Sequence, residues 1–163
     1  MGEVNACARY SKATTPQRYL GPPQCTAPMD TATVTYLGEL RTEAVHEGSR
    51  ERIITDAPPD NKGRGEAFSP TDLLATSLGN CMMTLMGIAA QGRNITLKGL
   101  KASVVKHMAA DPRRVARIEV DLELDGSALG ERERAMLEHA ALTCPVAKSL
   151  HPDLVQEVRF RYT

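Results

Sequence analysis

The segment from Ser69 to Ala90 constrains the fold more than any other. Ser69-Pro70-Thr71-Asp72 has the form of a helix start. Ser69 can cap, Pro70 suits the first turn, and Asp72 stands three residues after the cap, close to the capping-box pattern. The pattern behind it predicts a helix to about Ala90, stopping before Gly92. Leu73, Leu74, Leu78, Met82, Leu85 and Met86 fall on one side, and Met83 and Ile88 carry the apolar surface elsewhere. A helix that is apolar nearly all round belongs in the middle of a protein. A domain this small has little to surround it with, which points to a second subunit over the other face.

The 163 residues fit one ordinary domain with a single substantial core. The formal net charge is zero, which argues against steering toward nucleic acid or an anionic membrane. Four tyrosines, two phenylalanines and no tryptophan also argue against base stacking. No apolar run reads as a membrane span, and the N-terminus lacks a basic-then-apolar signal pattern, so the expected location is cytoplasmic. The first 28 residues carry Pro16, Pro22, Pro23 and Pro28 and no hydrophobic period. They read as a flexible or loosely docked extension, giving a division into 1–29 and a domain over 30–163. Met29, followed at once by a strand-like pattern, is a candidate natural start. Cys7 and Cys25 fall in the extension and read as incidental exposed or semi-exposed thiols, the alternative being a redox or metal pair.

From Asp30 onward the periods are ordered. Thr33–Leu37, Arg41–His46 and Glu51–Thr55 read as three short strands. The loop Asp56–Glu66 is dense in turn formers and charge, and loops of this length are often functional. After the long helix, a strand is expected over about Ile95–Met108. A clearer one follows, in which Ile118, Val120, Leu122 and Leu124 alternate with Arg117, Glu119, Asp121 and Glu123. Glu131 opens an amphipathic helix to about Thr143, a short helix follows from Cys144, and Val158, Phe160 and Tyr162 mark a last strand. The order β-β-β, α, β-β, α, short α, β, with no βαβ run, predicts an α+β domain.

Cys81 lies in the apolar helix, and Cys144 lies in Thr143-Cys144-Pro145-Val146. Proline favours the first helical position, so Cys144 falls where an N-cap would be. There, unpaired N–H groups and the helix dipole favour a thiolate. A thiol buried as Cys81 is needs a cation to become reactive. Arg41, Arg50, Arg52 and Arg64 precede it, and Glu66, near the helix start, could hold one of them through paired hydrogen bonds. His46, His107, His139 and His151 have no metal-site spacing with the cysteines, and no Gly-rich phosphate loop is present. No cofactor and no metal are expected.

The stretch Gly65-Glu66-Ala67-Phe68-Ser69-Pro70-Thr71-Asp72-Leu73-Leu74, then Cys81, then Thr143-Cys144-Pro145, resembles the OsmC/Ohr family of osmotically inducible and organic hydroperoxide resistance proteins. With the order of elements, the resemblance covers nearly everything from Asp30. It implies an OsmC-like fold: antiparallel sheets wrapped around central cysteine-bearing helices in an intertwined homodimer. It also implies a thiol peroxidase of the oxidative-stress response. Cys81 would attack an organic hydroperoxide, Cys144 would resolve the sulfenic acid as a disulfide, and an external dithiol, lipoyl-type in some relatives, would reduce it. Glu66 matches the family glutamate, and Arg41 is the best match for its arginine, with Arg50, Arg52 and Arg64 left open. Gly79-Asn80 before Cys81 and Val146 after Pro145 place the chain nearer a generic OsmC-like branch. Two other readings stand beside this one: a dimer that holds an apolar ligand without peroxidase turnover, and an interaction scaffold whose cysteines do nothing.

Overall fold

The computed structural model describes residues 30–163. The expected extension over 1–29, with Cys7, Cys25 and Met29, lies outside the described residues. The elements come in the expected order. They are β1 (Ala32–Gly38), β2 (Arg41–His46), β3 (Arg52–Asp56), α1 (Pro70–Gln91), β4 (Lys101–Ala110), β5 (Arg113–Leu124), α2 (Glu131–Leu142), α3 (Pro145–Ser149) and β6 (Val155–Tyr162). They form two three-stranded sheets, β1-β2-β3 and β4-β5-β6.

The start of α1 is fixed twice over. Ser69 Oγ accepts the Asp72 N–H at 3.1 Å and the Asp72 carboxyl accepts the Ser69 N–H at 2.7 Å, a full capping box. Lys106 of β4 then reaches across, its Nζ 2.7 Å from Asp72 Oδ1, 2.6 Å from Thr71 Oγ1 and 3.0 Å from Ser69 Oγ. Burial works against ionising Asp72, but the bonds from Lys106 and Ser69 outweigh it and hold the carboxyl below its ordinary range.

Further along, α1 lies so close to β4 that a Cβ on Gly79 would come within 2.9 Å of Val104 Cγ2. Ala75, Leu78, Met82 and Met86 of α1 bury against Ile118, Val120, Leu122 and Leu124 of β5 and Leu137 and Ala141 of α2. The alternation expected along β5 is thus the alternation found.

Three expectations are corrected. First, β6 runs parallel to β5, so the second sheet is mixed rather than antiparallel, and β5-α2-α3-β6 is a βαβ unit. The cause is the helical crossover, which returns the chain in its original direction. Second, β4 begins at Lys101 rather than near Ile95, because Gly99 takes a left-handed φ of 64° and turns the chain just before it. Ile95 and Leu97 still pack on the core. Third, α1 is by length and composition apolar enough to cross a membrane. Its small Thr, Ser and Gly residues interrupt an apolar run but weigh little against hydropathy. Here one face is packed as a core helix.

The first sheet stands apart from this core, to which β1, β2 and β3 contribute no residue. Its register puts Val34, Ala44 and Ile53 side by side, with Tyr36, Thr42 and Thr55 in the next rank on the same face. Val34 and Tyr36 are each 64 % exposed. Among the described residues nothing covers Val34, Tyr36 and Ile53 on this face, although Thr55 beside them is buried.

Candidate active site

The helical period turns Cys81 away from the buried line of α1, onto a stripe with Leu74, Leu85 and Ile88. Leu74 and Ile88 are exposed, and Cys81 is partly buried. Cys144 is fully buried, in extended backbone as the N-cap of α3, its Sγ accepting the Ala147 N–H at 3.4 Å. The two thiols are free, both pack in the one apolar core, and Cys81 is near enough to influence the titration of Cys144.

The cap does not make Cys144 the readier thiolate, and here the sequence reading is corrected. Burial, the largest influence, pushes the Cys144 thiol up. The Ala147 N–H opposes this, while the bond and charge of Cys81 raise it further. One amide at the head of a five-residue helix is a weak counterweight to the loss of water.

Arg41, the first residue of β2, places Nη1 3.1 Å from Glu66 Oε2. The other three arginines have glutamates of their own. Arg50 pairs with Glu47 at 2.5 Å, Arg52 with Glu43 at 3.1 Å, and Arg64 with Glu39. Glu66 in turn hangs from a residue that the sequence offered only as a turn former. Its N–H donates to Asp56 Oδ2 at 3.0 Å, and Asp56, at the end of β3, is fully buried. The clue available in the sequence was the position of Asp56, at the last strand residue before the loop.

Arg41 meets Glu66 in an ion pair, and Cys81 and Cys144 share the one core as free thiols. Among the described residues no hydrogen bond or ion pair joins one pair to the other. Cys81 is three turns beyond Pro70, roughly 16 Å along the helix axis, whereas Glu66 precedes the helix. A cleft of about 470 Å³ opens beside Glu66, walled by Phe68, Asp72, Ala75, Val104 and Lys106, and neither thiol lines it. Lys106 had no signature in the sequence. It falls on the inward face of β4, where a lysine is unexpected, and is held there by the α1 cap. Among the described residues no group of three or more His, Cys, Asp or Glu side chains is arranged to hold a metal ion.

The fold and site define an α+β protein that sets a partly buried helix thiol beside a second, fully buried one. The chain belongs to the OsmC family, described as OsmC-like proteins, whose profile matches residues 63–158. A solved structure from Psychrobacter arcticus 273-4, provisionally described as an osmotic stress induced and detoxification response protein, is 52% identical. It covers 82% of this chain and 96% of its own, with a TM-score of 0.78. An OsmC-like protein from Mycoplasma pneumoniae shares the fold at 19% identity, with coverage of 81% and 96% and a TM-score of 0.68. So does an organic hydroperoxide resistance protein OsmC from Legionella pneumophila, at 15% identity, 83% and 99% coverage and a TM-score of 0.64. Comparison with curated proteins gave no match.

Proposed function

We propose that the chain is a thiol peroxidase that reduces organic hydroperoxides, working in the cytoplasm as a homodimer. The observation that carries this reading is that Cys81 of α1 and Cys144 at the head of α3 are free thiols packed in one core, near enough for Cys81 to raise the Cys144 thiol. The Cys81 thiolate attacks the terminal peroxide oxygen, the O–O bond breaks, and the alkoxide leaves as alcohol after taking a proton. Cys81 is left as a sulfenic acid. Cys144 then attacks that sulfur, water departs, and a Cys81–Cys144 disulfide forms. An external dithiol of the lipoyl type returns the two electrons by thiol–disulfide exchange. Burial keeps Cys144 protonated until it is needed, which leaves the more accessible Cys81 as first nucleophile. Arg41, steadied by Glu66, supplies the positive charge that favours the Cys81 thiolate. Within one chain that pair does not bond to the thiols, so a second copy is the natural source of it. A relative at 15% identity carries the name organic hydroperoxide resistance protein, which accords with this reading.

The test is stopped-flow reaction of the reduced protein with cumene hydroperoxide and, separately, hydrogen peroxide, counting thiols before and after. Rapid, organic-selective loss of the Cys81 and Cys144 thiols is expected. Cys81→Ser should abolish it, and Cys144→Ser should leave a sulfenic acid that a dimedone probe captures. Loss no faster than that of a free thiol would sink the peroxidase. It would favour instead a dimer that binds an apolar ligand, for which the cleft walled by Phe68, Ala75 and Val104, away from the thiols, is the place to look.

A further inference from the structure

We infer that Asp56 is the positioning residue of the Arg41–Glu66 pair, the group that sets where the arginine's charge stands; this rests on the peroxidase reading above. Three observations converge on it. Asp56 Oδ2 takes the Glu66 N–H at 3.0 Å, and its own main-chain N–H donates to Phe68 O at 3.1 Å. The segment that carries Glu66 is therefore tied to the end of β3 on both sides of Ala67. Asp56 is also the direct cross-strand partner of Arg41, so the two side chains project from the same face of the sheet. Finally, Asp56 Oδ1 and Arg41 Nε are both buried and have no hydrogen-bond partner among the described residues.

A buried carboxyl with only one of its oxygens engaged costs free energy unless something offsets it. By register the nearest cation is Arg41, directly across the strands. Glu66 holds its guanidinium at 3.1 Å, and Asp56 fixes Glu66 through the Glu66 backbone from the position opposite Arg41. A long arginine at the first residue of a strand has many rotamers open to it. Tying down its partner's backbone removes most of them.

The experiment follows Cys81 alkylation by iodoacetamide against pH, read by mass spectrometry of the Cys81 peptide, in the full-length reduced protein. Wild type, Arg41→Ala, Asp56→Ala and Asp56→Asn are compared, with thermal melts of each. Asparagine keeps an oxygen for the Glu66 N–H, whereas alanine removes it. Arg41→Ala and Asp56→Ala are expected to raise the Cys81 midpoint by about one pH unit or more, the size of effect a neighbouring cation has on a thiol or carboxyl. Asp56→Asn should restore most of the wild-type profile. Should alanine fail to fold, Asp56→Ser, which has a shorter reach than asparagine, takes its place and is read in the same way. A shift in Arg41→Ala together with a wild-type profile in folded Asp56→Ala would overturn the role of Asp56 and leave the peroxidase reading standing. No shift in Arg41→Ala would overturn the role of Asp56 together with the charge role given to Arg41, while the peroxidase itself stands or falls on the stopped-flow test. A fall in melting temperature alone, with the profile unmoved, would reduce Asp56 to a loop clip and overturn the proposal.

Discussion

Cys144 shows two principles meeting at one atom. The N-cap position offers it an amide and a favourable dipole, and complete burial takes away water; burial wins. In Cys81→Ser the contributions of the neighbouring thiol vanish but burial, the largest, remains. Cys144 in that variant should therefore still alkylate more slowly at neutral pH than an exposed thiol. Rapid labelling, followed by mass spectrometry of its peptide, would mean that the cap governs after all. The sequence placed Cys144 at the cap through Pro145, because capping is local. It could not show the burial, which comes from α3 docking against α1. The residues alone left the arginine open: four candidates precede Cys81, the family resemblance favoured Arg41, and the folded ion pairs give Glu39, Glu43 and Glu47 to the other three and leave Arg41 for Glu66.

At the scale of elements, the cap of α1 and its contact with β4 carry two predictions. Asp72 has a native pKa below the unfolded value of 3.8, so the stability it adds is present above that value and is lost as pH falls through the native one. Asp72→Asn should therefore lower the unfolding free energy at pH 7 by about 1 kcal/mol given its partial exposure, read from melts. The difference from wild type should close as the pH falls below 3.8. Gly79 sets two known effects against each other. Alanine gains about 1 kcal/mol of helix propensity there. Its methyl, however, meets the stiff Val104 at 2.9 Å, and overpacking of that kind costs about 1–3 kcal/mol. Gly79→Ala should be destabilising on balance and become neutral or favourable in a Val104→Ala background, a coupling that a double-mutant cycle in urea measures. Periodicity made α1 and β5 legible because their pattern is set by one buried face each. The direction of β6 was not legible: Val158, Phe160 and Tyr162 alternate alike in a parallel or an antiparallel strand, and only the crossover decides.

At the scale of the whole molecule, the described residues leave two apolar surfaces open. Val34, Tyr36 and Ile53 line an uncovered sheet face, and Leu74 and Ile88 flank Cys81 on the uncovered stripe of α1. A three-stranded sheet with an apolar face needs something to pack on. The outer face of the second sheet is unlike these two, since Arg159 bridges Glu119 and Asp121 and Arg117 bridges Glu119 and Glu157 across it. Sedimentation equilibrium is expected to give the mass of two 17.7-kDa chains. Ile88→Glu should shift this toward one chain, while Val105→Glu, on the charged outer face, should not. The same arrangement decides where the arginine comes from. If Arg41 serves Cys81 of the partner subunit, Cys81→Ser and Arg41→Ala are each inactive alone but complement one another when co-refolded. Random pairing makes half the dimers mixed, each with one intact site of two, so about a quarter of the wild-type peroxide rate should return. If instead each arginine serves the thiol of its own chain, every mixed dimer carries two broken sites and no activity returns. A rate assay on the co-refolded mixture separates these two outcomes.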